Sequence, residues 1–234
     1  MNTELFIEGL FPLLITGNRV EARRFVQETI VSGTTPEDLV AQGYWSLLHS
    51  INSLYRNDKL TCIAHRFSTR LLRSLVDQAQ AKYTQKDRCS RSILMFCGSS
   101  EGDDLTGQIM ADLAEADGYE VRFGGGGVAA DEILAEVGEH RPDILLLFGS
   151  GASDAPHIRQ IIDTVRSVGS CPNTQIAVGG GVFARATGLA EEIGADLWAD
   201  DPYEMLERLH NEADRRATPD QRTVGRSVRD AAAA

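Results

Sequence analysis

Glycines, short hydroxylic side chains and carboxylates cluster just beyond the apolar runs of the second half of this sequence. Gly98-Ser99-Ser100-Glu101-Gly102-Asp103-Asp104 follows the run 92–97, and Gly124 to Gly127 follows 119–123. Gly149-Ser150-Gly151-Ala152-Ser153-Asp154 follows 144–148, and Gly179-Gly180-Gly181 follows 174–178. Glycine there lets a flat or bulky ligand approach the backbone, and βα loops are also glycine-rich for purely structural reasons. Gly98 to Gly102 does not fit GxGxxG, no GxxxxGK[ST] occurs, and Gly149-Ser150-Gly151 falls short of the GxSxG elbow, so nucleotide-fingerprint and hydrolase readings are poor. Asp103, Asp104 and Asp154 have the placement of a Mg²⁺-binding acidic edge, but Trp198-Ala199-Asp200-Asp201-Pro202 supplies no lysine after the fifth run. Helix N-terminal capping is the plainer use of these acids.

Two kinds of sequence must position these residues. Residues 1–88 hold four glycines and read as helices, with Leu5, Phe6, Leu10, Leu13 and Leu14 at helical spacing, Gly17-Asn18 as a stop and a cap, and Thr34-Thr35-Pro36-Glu37-Asp38 as a helix start. A kink is expected at Gly43 and a long last helix over 61–82. Residues 89–212 hold seventeen glycines and alternate. Strands are expected at 92–97, 119–123, 144–148, 174–178 and 195–199, with helices at 105–117, 130–140, 157–168, 185–193 and 202–210. This predicts a helical bundle over 1–88, a doubly wound five-stranded parallel α/β sheet over 89–212, and a mobile tail over 213–234.

Composition bounds the function. The net charge is −11, with residues 89–212 alone at −15, so a phosphate-rich or nucleic-acid ligand is not expected on the sheet. No apolar run is long enough for a membrane span, and Met1-Asn2-Thr3-Glu4 lacks a basic n-region, so a cytoplasmic location is expected. Cys62, Cys89, Cys97 and Cys171 contain no CxxC and read as buried thiols of a reduced compartment.

The order of parts resembles the cobalamin-binding module of methionine synthase, of corrinoid methyl carriers and of B12-dependent photoreceptor regulators: a helical cap, then a flavodoxin- or Rossmann-like sheet. The likeness spans residues 3–212 and is closest in layout to the stand-alone regulators. The family's DxHxxG window falls on Gly102-Asp103-Asp104-Leu105-Thr106-Gly107, keeping Gly107 but placing Gly102 at the aspartate and Asp104 at the histidine. Gly118-Tyr119-Glu120-Val121 and Gly124 match the second strand. The SxL becomes Ser150-Gly151-Ala152, the GG is Gly179-Gly180, and Gly194-Ala195-Asp196 matches GAD. The resemblance implies that Gly102, Asp104, Gly107, Gly124, Ser150, Ala152, Gly179 and Gly180 line a cofactor site. It also implies that the nucleotide tail threads between the Ser150 and Gly180 strand ends. A carboxylate is a poor substitute for imidazole on cobalt, so ligation through Asp104 is not expected, and the cofactor's own base or a water would take that side.

Of the regulators' upper-face signature, whose positions are Leu54, Ala64 and His65, only His65 is kept; it is either an axial metal ligand or an ordinary helix-face histidine. Trp45 and Phe67 either roof the ligand or pack in the bundle core. The expected cofactor is adenosyl-, methyl- or hydroxocobalamin, with haem as an alternative held by the same imidazole. The expected function is a non-catalytic sensor passing ligand or light state to a regulatory protein partner, as a monomer or homodimer, without direct contact to nucleic acid or membrane. The alternatives are a corrinoid methyl carrier of a methyltransferase system, or a fold relative that binds haem or only a protein.

Overall fold

The computed structural model describes residues 1–222. Helices fill the first part: α1 (Thr3–Ile15), α2 (Arg19–Val31), the single turn α3 (Pro36–Asp38), α4 (Trp45–Arg56) and α5 (Cys62–Gln80). Their starts follow from side-chain caps, with Asn2, Asn18, Thr35 and Thr61 each accepting a hydrogen bond from an amide of the first turn. Between α3 and α4, Leu39–Tyr44 winds as π-helix. This is where a kink was expected, and Gly43 is needed there because a Cβ would lie 2.7 Å from the Phe6 ring.

The second part alternates strictly: β1 (Ser92–Cys97), α6 (Glu101–Ala116), β2 (Glu120–Gly126), α7 (Ala130–His140), β3 (Ile144–Phe148), α8 (Asp154–Val168), β4 (Gln175–Gly179), α9 (Gly181–Arg185), α10 (Leu189–Glu192), β5 (Leu197–Ala199) and α11 (Pro202–Asn211). The five strands pair in parallel in the order β2-β1-β3-β4-β5. The α/β architecture read from the sequence is therefore the observed one. The order reverses between β1 and β3, and the carboxyl ends of those strands form the crevice where open α/β sheets bind ligands.

Alternate strand residues face opposite cores. Ile93, Met95, Ile144, Leu146 and Phe148 pack with α6, α11 and the N-terminal helices. Leu94, Phe96, Leu145, Leu147, Ile176 and Val178 pack with α7, α8 and the α9–α10 segment. Bundle and sheet thus share one continuous core through α6, and this fixes α4 and α5 over the carboxyl edge of the sheet.

Four expectations need correction. Helix α6 begins at Glu101 rather than 105, because the Ser100 hydroxyl accepts from the Asp103 amide at 3.0 Å and starts the helix four residues earlier. The single helix expected at 185–193 is two short ones, separated where Gly188 turns with φ +84°. Residues 213–222, expected to be mobile, are tied down: the Ala217 amide donates to Asp196 Oδ1 at 2.7 Å, Arg215 lies 4.5 Å over the Trp198 ring, and Arg222 pairs with Asp163 at 2.7 Å. The rest of that tail, 223–234, lies outside the described residues. All four cysteines are free, but Cys62 and Cys89 are exposed rather than buried. Among the described residues no helix is long and apolar enough to cross a membrane.

Candidate functional site

One face of α4, with Trp45, Leu48, His49, Asn52, Tyr55 and Arg56 at helical spacing, looks down on the carboxyl edge of the sheet. A cleft of about 260 Å³ runs beneath it, bounded above by Asn52, Tyr55, Arg56 and His65 and below by the loops after β1 and β3. An adjoining slot of about 20 Å³ continues from Asn52 and Arg56 to Ser150, Gly180 and Gly181.

His65 is held from two sides. Its Nε2 lies 2.9 Å from Asn52 Oδ1, and its ring stacks on Tyr55 with centroids 4.2 Å apart and planes 20° apart. Burial, opposed by Glu101, lowers its pKa below the usual imidazole value. In the neutral ring Nε2–H donates to Asn52, and Nδ1 keeps its lone pair.

The floor is acidic and hydroxylic. Asp103 is 4% exposed, and its Oδ2 accepts from the Ser100 hydroxyl at 2.5 Å. Its Oδ1 has no hydrogen-bond partner. Burial raises the Asp103 pKa, Asp154 adds to the rise, and the Ser100 and Ser150 hydroxyls oppose it. Asp154 Oδ2 in turn accepts from the Ser150 amide at 3.0 Å and the Gly151 amide at 2.7 Å, which fixes the loop after β3. Gly98 lies between the two acids: a Cβ there would sit 2.7 Å from Asp103 Oδ2 and 2.9 Å from Asp154 Oδ2.

The residues singled out from the sequence separate into two groups. His65 and Ser150 line the cleft, Gly180 lines the slot, and Ala152 lies between the cleft-lining Gly151 and Ser153. Gly102 is pressed against the roof, since a Cβ would lie 2.6 Å from the Asn52 amide. The other four are elsewhere. Asp104 lies in the first turn of α6 and pairs with Arg73 of α5 at 2.7 Å, its Oδ1 facing Gly125 rather than the cleft. Gly107, Gly124 and Gly179 give room to the rings of Phe123, Phe96 and Phe148, each of which would lie within 2.7 Å of an added Cβ. Trp45 lines the slot and meets Phe148 edge-on at 6.5 Å, whereas Phe67 packs beside Gly17 and does not line the cleft. Asn52, Tyr55, Arg56 and Arg185 were missed. For Asn52, Tyr55 and Arg56 the signal was the run of polar and aromatic residues on one face of α4, which a core-facing helix would not carry; Arg185, at the end of α9, had no such local signal.

The chemistry of this lining suits a flat ligand with a polar rim. Aromatic and imidazole rings lie on the cap side, and hydroxyls, amides, guanidinium groups and carboxylates stand ready for a fringe of carboxamides. The size needs one adjustment. A cleft of about 260 Å³ is below the roughly 300–1,000 Å³ of ordinary small-molecule sites. A macrocycle would require α4 and the start of α5 to draw back from the Gly102–Asn52 contact.

The family model for a B12 binding domain matches residues 91–207. A dimethylamine corrinoid protein of Methanosarcina acetivorans is 21% identical over 173 residues, covering 73% of this chain and 80% of that one. The monomethylamine corrinoid protein of Methanosarcina barkeri superposes with a TM-score of 0.74 at 15% identity, covering 88% of this chain and 97% of that one. These similarities correct the sequence reading in three respects. Both relatives are corrinoid proteins by name rather than regulators or photoreceptors, so the closest layout is not that of the stand-alone regulators. The sensing and signalling role falls with it. Corrinoid, not haem, is the cofactor these matches support. A binding module of this kind agrees with the expectation that the chain is not itself an enzyme.

Proposed function

The chain belongs to the B12-binding domain family, and on that premise we propose that it is a corrinoid carrier, which presents its cofactor for methyl transfer to and from a protein partner. The observation that carries this reading is the cleft itself. It lies at the topological switch point of the sheet, is roofed by the α4–α5 pair, and is lined by groups that match a corrin face and its amide rim. The names of the two relatives support the same use.

When bound, the corrinoid supplies a metal that takes up and gives away a methyl group. The chain's own residues bind and orient it. Asn52, Arg56, Ser99, Ser100, Ser150 and Ser153 offer hydrogen bonds to the ring's amides. His65, fixed by Asn52 and Tyr55 and with its pKa lowered by burial, is the imidazole that would lie on the cap side of the ring. On the sheet side the described lining residues are hydroxyls and carboxylates, and Asp104 is tied to Arg73, so these residues would hold the ring's underside by hydrogen bonds and would offer the metal no imidazole there. Withdrawal of the α4–α5 roof would both admit the ring and bare its upper face to a partner.

The test is to reconstitute the protein with hydroxocobalamin, remove free cofactor, reduce the complex with titanium(III) and add methyl iodide. The spectrum should change to that of a methylated corrinoid that still co-elutes with the protein. Bound cobalamin that cannot be methylated without leaving the protein would refute the carrier role.

A further inference from the structure

A second cavity, of about 570 Å³, is larger than the cleft and shares no lining residue with it. It lies at the opposite edge of the sheet, where β1 and β2 begin. One wall is the connection from α5 to β1, and the other is a face of α11, with Tyr203, Leu206, Glu207 and His210 at helical spacing. The connection is laid down firmly. The Cys89 amide donates to the Gly118 carbonyl at 3.0 Å, and a side chain at Gly118 would collide with the Asp87 carbonyl. Ser90, two residues before β1, takes a left-handed φ of +57°. A non-glycine residue keeps that conformation only where its surroundings hold it, and ligand clamps are one such place.

The lining divides by chemistry. Tyr119, 2% exposed, and Leu206, 8% exposed, make an apolar floor. The Tyr203 hydroxyl donates to Asp38 Oδ1 at 2.9 Å, which fixes a second aromatic ring beside that floor. Lys86 is already paired with Asp117. Asp87 and Glu207 line the same cavity and form no ion pair among the described residues. Carboxylates free to accept, set over aromatic and aliphatic surface, suit an ammonium group carried on an apolar body: the acids take charge-assisted hydrogen bonds from its N–H groups, and tyrosine faces attract the cation. The volume falls within the roughly 300–1,000 Å³ of small-molecule sites. The net charge of −15 over residues 89–212 turns anionic ligands away.

We propose that this cavity binds a small organic cation of the arylalkylamine class, with Asp87 and Glu207 taking the ammonium group and Tyr119, Tyr203 and Leu206 holding the aromatic body. Binding here stands apart from the corrinoid reading, because cavity and cleft have no residue in common.

Cys89 lines the cavity and is a free, exposed thiol, so its alkylation reports occupancy; Cys62, also free and exposed, lies on α5 and serves as an internal control. The full chain is alkylated with iodoacetamide at pH 7 in the presence of phenethylamine or phenylpropionate, which share a ring and differ in charge, and each cysteine is followed by peptide mass spectrometry. Saturating phenethylamine should slow alkylation of Cys89 roughly tenfold and leave Cys62 unchanged, whereas phenylpropionate should slow neither. Glu207→Gln, at an exposed position, should raise the phenethylamine concentration needed for half protection roughly tenfold while the circular dichroism spectrum stays that of wild type. No protection of Cys89, equal protection of both cysteines, equal protection by the two compounds, or an unchanged requirement in Glu207→Gln would each overturn the site.

Discussion

Replacing Asp104 by histidine restores, letter for letter, the histidine of the family's loop motif, and the structure predicts that it will not restore the ligand. Asp104 is not on a loop. It is in the first turn of α6, started by Ser100, and its carboxylate reaches Arg73 at 2.7 Å on the side away from the cleft. Both side chains of this pair are more than a third exposed, at 36% and 39%, so the pair contributes only about 0.2–1 kcal/mol. Losing an acid near a helix N-terminus adds about 0.3–1 kcal/mol. Asp104→His should therefore cost about 0.5–2 kcal/mol and lower Tm by roughly 1–8 °C. The informative assay uses cob(II)inamide, whose lack of a nucleotide base means that any axial nitrogen seen by electron paramagnetic resonance comes from the protein. The variant's spectrum should match that of wild type. A nitrogen splitting present in Asp104→His and absent from wild type would show that the α6 start unwinds to deliver this position, and the reasoning would fail.

Three further substitutions probe the frame around the site. Asp112, half-buried at the junction of α6 with the cap, has its pKa raised to about 6 by desolvation, with Asp77 adding to the rise. The folded protein then holds a proton that the unfolded chain releases from about pH 4 upward, so this group lowers stability as pH rises from about 4 to 6. Asp112→Asn should remove that slope and raise stability at pH 7 by about 1–2 kcal/mol in denaturant titrations. A pH profile identical to wild type would refute the assignment. Asp196 has a fully buried side chain that accepts from the Ile176 and Ala217 amides at 2.7 Å each and pairs with Arg166. Arg166→Ala should cost about 3–5 kcal/mol, and a loss below 1 kcal/mol measured in urea would contradict a buried pair. Gly98→Ala forces a methyl against Asp103 and Asp154, so it should lower stability by about 1–3 kcal/mol and weaken cobalamin binding, as read by calorimetry; unchanged affinity would separate these acids from the site.

Most of the architecture was legible because its signals are local. The unbroken apolar run Ile144–Phe148 is a central strand flanked on both faces, and the caps at Asn18, Thr35 and Thr61 mark helix starts. What failed locally failed for a physical reason: Ser100 captures the Asp103 amide, so acids that look like a ligand loop are helix. Glycine placement was ambiguous in the site as well. Gly180 borders the slot, but Gly107, Gly124 and Gly179 answer to phenylalanine rings contributed by neighbouring strands. No pattern within one segment reveals such a pairing between elements. The meeting of Arg56 with Arg185, 129 positions apart in sequence, depends on how the cap sits on the sheet. Residues 213–222 looked polar and loose because their partners, Asp196, Trp198 and Asp163, belong to distant elements.

The claim that the α4–sheet cleft holds a corrinoid is tested most directly by plugging it. Wild type and Ser150→Trp, each incubated with hydroxocobalamin and desalted, are compared by visible absorption per mole of folded protein. Wild type should retain about one cobalamin per chain, and the plugged variant, with an unchanged circular dichroism spectrum, should elute colourless. A colourless wild type, or a plugged variant that carries as much cobalamin as wild type, would contradict the account.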